Sequence, residues 1–105
     1  MDIHVNATVE KFITSLQAHS IAKVLRTIDL LERFGNQLSM PHSKKLNAHL
    51  FELRIRGQQE VRIFYYFHKG EAHFLIGFIK KTQRTPIHEL RLANDKFKRL
   101  TDYNL

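Results

Sequence analysis

EVRIFYYFHKGEAHFLIGFIKK, residues 60–81, decides the fold. In its first half Val61, Ile63, Tyr65 and Phe67 alternate with Arg62, Phe64, Tyr66 and His68, the period-two pattern of a strand with two different faces. Lys69-Gly70 is a tight-hairpin dipeptide, because a two-residue reversal needs positive φ angles that glycine adopts freely. AHFLIGFIK (72–80) then returns as a run apolar on both faces, which predicts an interior strand. Upstream, HLFELRIR (49–56) sets Phe51, Leu53 and Ile55 against Glu52, Arg54 and Arg56, and Gly57-Gln58-Gln59 supplies the turn. Three strands joined by short turns predict an antiparallel meander.

On both sides of the meander the period changes to that of a helix. Val9, Phe12, Ile13 and Leu16, then Ile21, Val24, Leu25, Ile28 and Leu31, recur at three- and four-residue spacing. With Ser20 as an N-cap and Gly35 as a stop, the spacing predicts two helices with a break near residues 18–20. Downstream, Thr85 as N-cap and Pro86 at the first helical position open a last helix. Its seam of Ile87, Leu90, Ala93, Phe97 and Leu100 is predicted to pack on the sheet, leaving His88, Arg91, Asp95, Lys98 and Arg99 outside. The prediction is one α+β domain over residues 1–105: two N-terminal helices packed on a small antiparallel three- to four-stranded sheet, with a C-terminal helix.

Composition narrows the chemistry. No apolar run approaches the ~20 residues of a membrane span, and the N-terminus lacks a secretory pattern, so a cytoplasmic protein with no membrane partner is expected. The absence of cysteine excludes disulfides, thiolate metal sites and cysteine nucleophiles. The seven histidines form no helical i, i+4 pair and no HExxH, and His68 and His73 flank a hairpin, so no metal site is expected. No phosphate loop, dinucleotide fingerprint or Ser-His-Asp set occurs, and no cofactor is expected.

Charge points to a partner. The net +7 is unevenly spread: residues 1–35 hold four bases and four acids, residues 36–105 thirteen bases and six acids. A one-sided surplus on a small domain suits a polyanion, whose neutralisation releases counterions, although an acidic protein would satisfy it too. In an unbulged ladder Arg54, Arg62 and Tyr66 leave the sheet opposite the Leu53/Ile63 face, and Lys81, sharing the parity of Gly77 and Ile79, joins them if the register puts that parity on the same face. Fixed cations and an aromatic ring on one face are what phosphate stabilisation and base stacking require. Lys80, of opposite parity, is assigned to an edge or a backbone phosphate, and His88 is placed near the cluster as a proton donor or acceptor.

Three ordered blocks carry a resemblance: Lys44-x-Leu46 with Leu50-Phe-Glu52-Leu-Arg54, then Arg62-Ile-Phe-Tyr65, then Phe78-Ile-Lys80-Lys81-Thr82-Gln-Arg84-Thr85-Pro86 with Glu89 and Ala93. They span residues 44–94, and the chain resembles the HigB-like, phage-derived branch of the RelE/ParE toxin superfamily. The resemblance implies a type II toxin, a ribosome-dependent and metal-independent mRNA endoribonuclease that leaves 2′,3′-cyclic phosphate and 5′-hydroxyl ends. The partners it implies are a cognate helix-turn-helix antitoxin, the ribosome and mRNA, with operator DNA reached only through the antitoxin.

Residue by residue, the resemblance implies that Arg62 holds the scissile phosphate and Arg54 positions the backbone. Lys81 or Lys80 would stabilise charge or move a proton, and Tyr66 would stack on or orient a base. Lys80, Arg84, Arg56, Lys44 and Lys45 are the further RNA contacts expected. Two departures stand out: the superfamily's N-terminal strand is at most Ile3–Val5, and no tyrosine or histidine ends a final strand, which leaves His88 and Tyr103 as substitutes. The alternative is a non-catalytic RNA- or antitoxin-binding module on the same scaffold.

Overall fold

A computed structural model describes residues 1–102; Tyr103 lies outside the described residues. In chain order the elements are β1 (Ile3–Val5), α1 (Ala7–Thr14), α2 (Ala18–Phe34), β2 (Ser43–Lys45), β3 (Phe51–Ile55), β4 (Val61–His68), β5 (Glu71–Ile79) and α3 (Ile87–Asp102), with a 3₁₀ turn at Gly35–Gln37. The sheet has five strands in the order β1-β5-β4-β3-β2. The meander of β3, β4 and β5 is antiparallel as read. The expected count of three to four strands is corrected to five. Ile3–Val5 joins β5 in parallel, and the three-residue β2, too short to show a period, pairs with β3.

Local chemistry sets the element ends. Asn6 caps α1, its Oδ1 accepting from the Val9 N–H at 2.8 Å. The second helix begins at Ala18 after Gln17, not at the expected Ser20 cap, and Ser20 is buried inside it. Gly35 ends that helix as expected. Lys69 and Gly70 both adopt positive φ, 52° and 75°, so the β4–β5 reversal has the twist that two-residue hairpins favour. The last helix begins one residue later than read: the Leu90 N–H donates to the Pro86 carbonyl at 2.9 Å, which makes Pro86 the cap.

Both faces of the sheet are covered. On one, Leu53, Ile55, Val61, Ile63, Tyr65 and Phe74 pack with Val9, Ile13, Leu16, Val24 and Leu31 of the first two helices. Tyr65 is fully buried there; burial pushes its phenol pKa up, and a hydrogen bond with Ser43 partly offsets this. On the other face Phe64, Tyr66, Leu75 and Ile76 pack with Leu90, Ala93 and Phe97 of α3. Of the predicted α3 seam, Leu90, Ala93 and Phe97 are inside, whereas Ile87 and Leu100 are exposed.

A bulge in β5 decides what the arginine face contains. Phe64 pairs with Ile76 but Tyr65 pairs with Phe74, which leaves Leu75 as an extra residue. Leu75 and Ile76 therefore both turn towards α3. The disturbed ladder is repaired by side chains from both sides: Asn6 Nδ2 donates to the Phe74 carbonyl at 3.0 Å and Lys96 Nζ to the Leu75 carbonyl at 3.2 Å. Beyond the bulge the alternation is inverted. Gly77 and Ile79 lie on the α1/α2 face, where Gly77 lets the Phe12 ring approach so closely that an added Cβ would stand 2.5 Å from its Cδ2.

Candidate functional site

Arg54 on β3 and Arg62 on β4 are direct partners across the antiparallel ladder. Like charges in that position repel, and a carboxylate resolves the conflict. Glu52 shares the face of Arg54, two residues earlier on β3. Its Oε1 lies 3.5 Å from Arg54 Nε and its Oε2 3.9 Å from Arg62 Nε. Arg62 also donates from Nη1 to its neighbouring Val61 carbonyl at 2.9 Å. The three groups are sunk to different depths, with side-chain exposures of 3% for Arg62, 7% for Glu52 and 15% for Arg54.

Burial has an electrostatic consequence. Desolvation pulls the Arg62 guanidinium below its ordinary pKa; Glu52 opposes this and Arg54 adds to it. Arginine stays charged regardless. The Nε atoms of Arg54 and Arg62 are buried and make no hydrogen bond, so the carboxylate satisfies the pair through charge more than through directed bonds.

Around this centre the chain forms a cleft of about 300 Å³ lined by Arg54, Arg56, Glu60, Arg62, Lys80, Lys81, Thr82 and Gln83. A smaller one of about 80 Å³ adjoins it between β3 and the start of α3; Lys44, Glu52, Arg54, Lys80, Thr85 and Pro86 are among its walls. Together the two bring six bases against two acids. Arg56 is exposed and pairs with Glu60 at 3.5 Å. Lys44 stands opposite Glu52 in register and so shares its face, whereas Lys45 lies over the Phe51 ring at 5.9 Å.

The lysine assignment changes with the bulge. Arg62 pairs with Phe78, so the alternation carries Lys80, not Lys81, onto the arginine face. The Lys80 N–H extends the ladder one step by donating to the Glu60 carbonyl at 2.7 Å, and its side chain borders both clefts. Lys81 enters the larger cleft from loop 80–86, past the end of the strand.

Four expected members stand elsewhere. Tyr66, read as exposed, is only 5% exposed. Phe97 of α3 meets its ring edge-on at 5.1 Å and His73 stacks on it at 5.0 Å, so no base can reach it. The face opposite the first core is covered by α3 over its middle and open to solvent at its arginine end. Arg84 and His88 are exposed but line neither cleft. Lys45, expected to contact RNA, falls on the opposite side of β2 from Lys44.

Sequence reading missed Glu52 as the link between the two arginines, although its spacing of two from Arg54 carried the signal. It also missed a second cluster. His4, Glu71 and His73 lie together, joined by the parallel β1–β5 pairing of segments nearly seventy residues apart, which no local spacing reveals.

An α+β sheet with helices on both faces and a basic cleft at the strand ends is the architecture of a small RelE-like domain. The Phage derived protein Gp49-like family (DUF891) matches residues 11–98, and the chain belongs to that family. These are toxin-antitoxin-type toxins of the RelE/ParE-like superfamily, a context in which the partner is an antitoxin. No curated protein matches the chain significantly. No helix among the described residues is long and apolar enough to cross a membrane.

Proposed function

We propose that this chain is the toxin of a type II toxin-antitoxin pair of the HigB-like kind, a ribosome-dependent endoribonuclease that cuts translated mRNA. The observation that carries the reading is the Arg54–Glu52–Arg62 arrangement flooring a cleft that Lys80, Lys81, Arg56 and Lys44 surround. A phosphate entering it meets preorganised positive charge of low mobility, the condition under which charge stabilisation is most effective. Thr85 and the capping Pro86, just ahead of α3, border the same space, so the N-terminal end of that helix adds its dipole.

In the reaction the RNA 2′-hydroxyl attacks the adjacent phosphorus and gives up its proton to solvent water as the P–O2′ bond forms, and the P–O5′ bond breaks. A 2′,3′-cyclic phosphate and a 5′-hydroxyl result. Arg54, the more exposed arginine, contacts a non-bridging oxygen, and Arg62 supplies charge from the floor. Lys80 delivers the proton to the departing 5′-oxygen, and Lys81 balances charge from the loop. The cognate helix-turn-helix antitoxin inhibits by covering this basic surface with acidic side chains.

A second reading, a non-catalytic RNA- or antitoxin-binding module, is favoured by one observation: among the described residues neither cleft is lined by histidine or tyrosine, the usual proton carriers. Induced expression decides between them. Wild type should arrest growth, co-expressed antitoxin should relieve the arrest, and Arg54→Ala and Lys80→Ala should each abolish it. Arrest of equal strength by both variants would remove the cleft from the mechanism.

A further inference from the structure

The end of the sheet away from the cleft carries a second set of groups that the proposed reaction does not use. β1 runs parallel to β5 with His4 opposite His73, and Glu71 precedes His73 by two residues, so all three side chains leave one face. His4 Nε2 pairs with Glu71 Oε2, and His73 Nε2 lies 4.0 Å from the same oxygen. One ligand atom from each of the three lies within 4.8 Å of the others.

Packing holds the inner member in place. His73 sits between two rings, stacking on His4 at 4.6 Å and 10° on the β1 side and on Tyr66 at 5.0 Å and 17° on the β4 side. Its Nε2 is buried and has no hydrogen-bond partner among the described residues. A divalent ion held between the three side chains uses both imidazole nitrogens and the carboxylate at once.

We propose that His4, Glu71 and His73 bind one divalent transition ion of the zinc class, fastening the three-residue edge strand β1 to β5. Two imidazole nitrogens and one carboxylate oxygen, with no thiolate, suit that class, and water completes the coordination. Ligands 2.0–2.1 Å from a tetrahedral ion stand about 3.3 Å apart, so capture requires the ligand atoms to shift by roughly an ångström, His73 closing on Glu71 and His4 drawing back from it. His4, whose side chain is 54% exposed, has the freedom to move. The site is structural and stands apart from the proposed cleavage chemistry.

Tag-free full-length protein titrated with ZnCl₂ at neutral pH by calorimetry, alongside thermal unfolding, tests this. One Zn²⁺ should bind per chain, and at a hundredfold excess over Kd the Tm should rise by about 10 °C, reversed by EDTA. His4→Ala, an exposed change compatible with folding, should weaken binding more than tenfold, as should Glu71→Gln. His19→Ala and His42→Ala should bind like wild type. Cobalt(II) should give visible absorption of tetrahedral intensity that His4→Ala lacks. Zinc binding as tight in His4→Ala as in wild type, or a Tm that zinc leaves unmoved, would overturn the proposal.

Discussion

Glu52 lies between two arginines that face each other across adjacent strands, 3.5 Å from Arg54 and 3.9 Å from Arg62. One carboxylate therefore keeps a buried and a half-buried cation in place, and the two arginines are not equivalent probes. Removing Arg62 leaves Glu52 without its most buried partner, a loss of about 3 kcal/mol in denaturant unfolding. Arg54→Ala, at a more exposed position, should cost about 1 kcal/mol or less while reducing RNA cleavage about 100-fold. Similar stability losses in the two variants would contradict this division.

Tyr66 separates a packing role from a recognition role. Tyr66→Phe should leave growth arrest and RNA cleavage within about twofold of wild type, because the ring is enclosed and no base stacks on it. Tyr66→Ala should destabilise by about 3–5 kcal/mol through the void beneath Phe97. A large activity loss in a fully folded Tyr66→Phe protein would return the tyrosine to the site.

The bulge in β5 also explains which parts of the sequence were legible. The strands of the meander, the Lys69-Gly70 reversal and the Leu90, Ala93 and Phe97 part of the α3 seam could be read because period and turn chemistry are local, whereas the caps expected at Ser20 and Thr85 fell elsewhere. The side on which Lys80 and Lys81 fall was not, since one extra residue at Leu75 inverts every later position of β5. Burial of Tyr66 depends on where α3 docks, and the His4–Glu71–His73 group on a parallel pairing between distant segments. The pairing of Arg54 with Arg62 was accessible in outline because β3 and β4 pair without irregularity.

Close packing of α1 on the sheet rests on Gly77. A methyl group there would stand 2.5 Å from Phe12 Cδ2, so Gly77→Ala should cost about 1–3 kcal/mol by displacing that ring. Phe12→Leu in the same chain should recover part of the loss, a coupling that a double-mutant cycle of unfolding energies measures. Strict additivity would show that the ring is not the obstacle.

Alkaline pH should expose the burial of Tyr65. Its folded pKa is raised above the ordinary 10.0 by desolvation, so the folded state holds the phenolic proton where the unfolded chain has released it. That contribution is fully present below pH 10 and is lost as pH rises through the folded value. Tyr65→Phe should flatten the fall in unfolding free energy above pH 10, and an unchanged slope would contradict the assignment.

Affinity for a single-stranded RNA should report the cleft's charge. Log K should fall with log salt at a slope of roughly −3, for about four neutralised phosphates, and Lys81→Ala should reduce its magnitude by about 0.7. Lys45→Ala, on the other side of β2, should leave the slope unchanged.

The most direct test is the chemistry of message ends in a translating extract supplied with purified protein. Wild type should cut mRNA only when ribosomes engage it, leaving 2′,3′-cyclic phosphate and 5′-hydroxyl ends. Lys80→Ala and Arg54→Ala should each lower the yield about 100-fold or more. Message that stays intact with folded, ribosome-bound wild-type protein, or cleavage undiminished in both variants, would contradict the assignment of this cleft as the site of RNA cleavage.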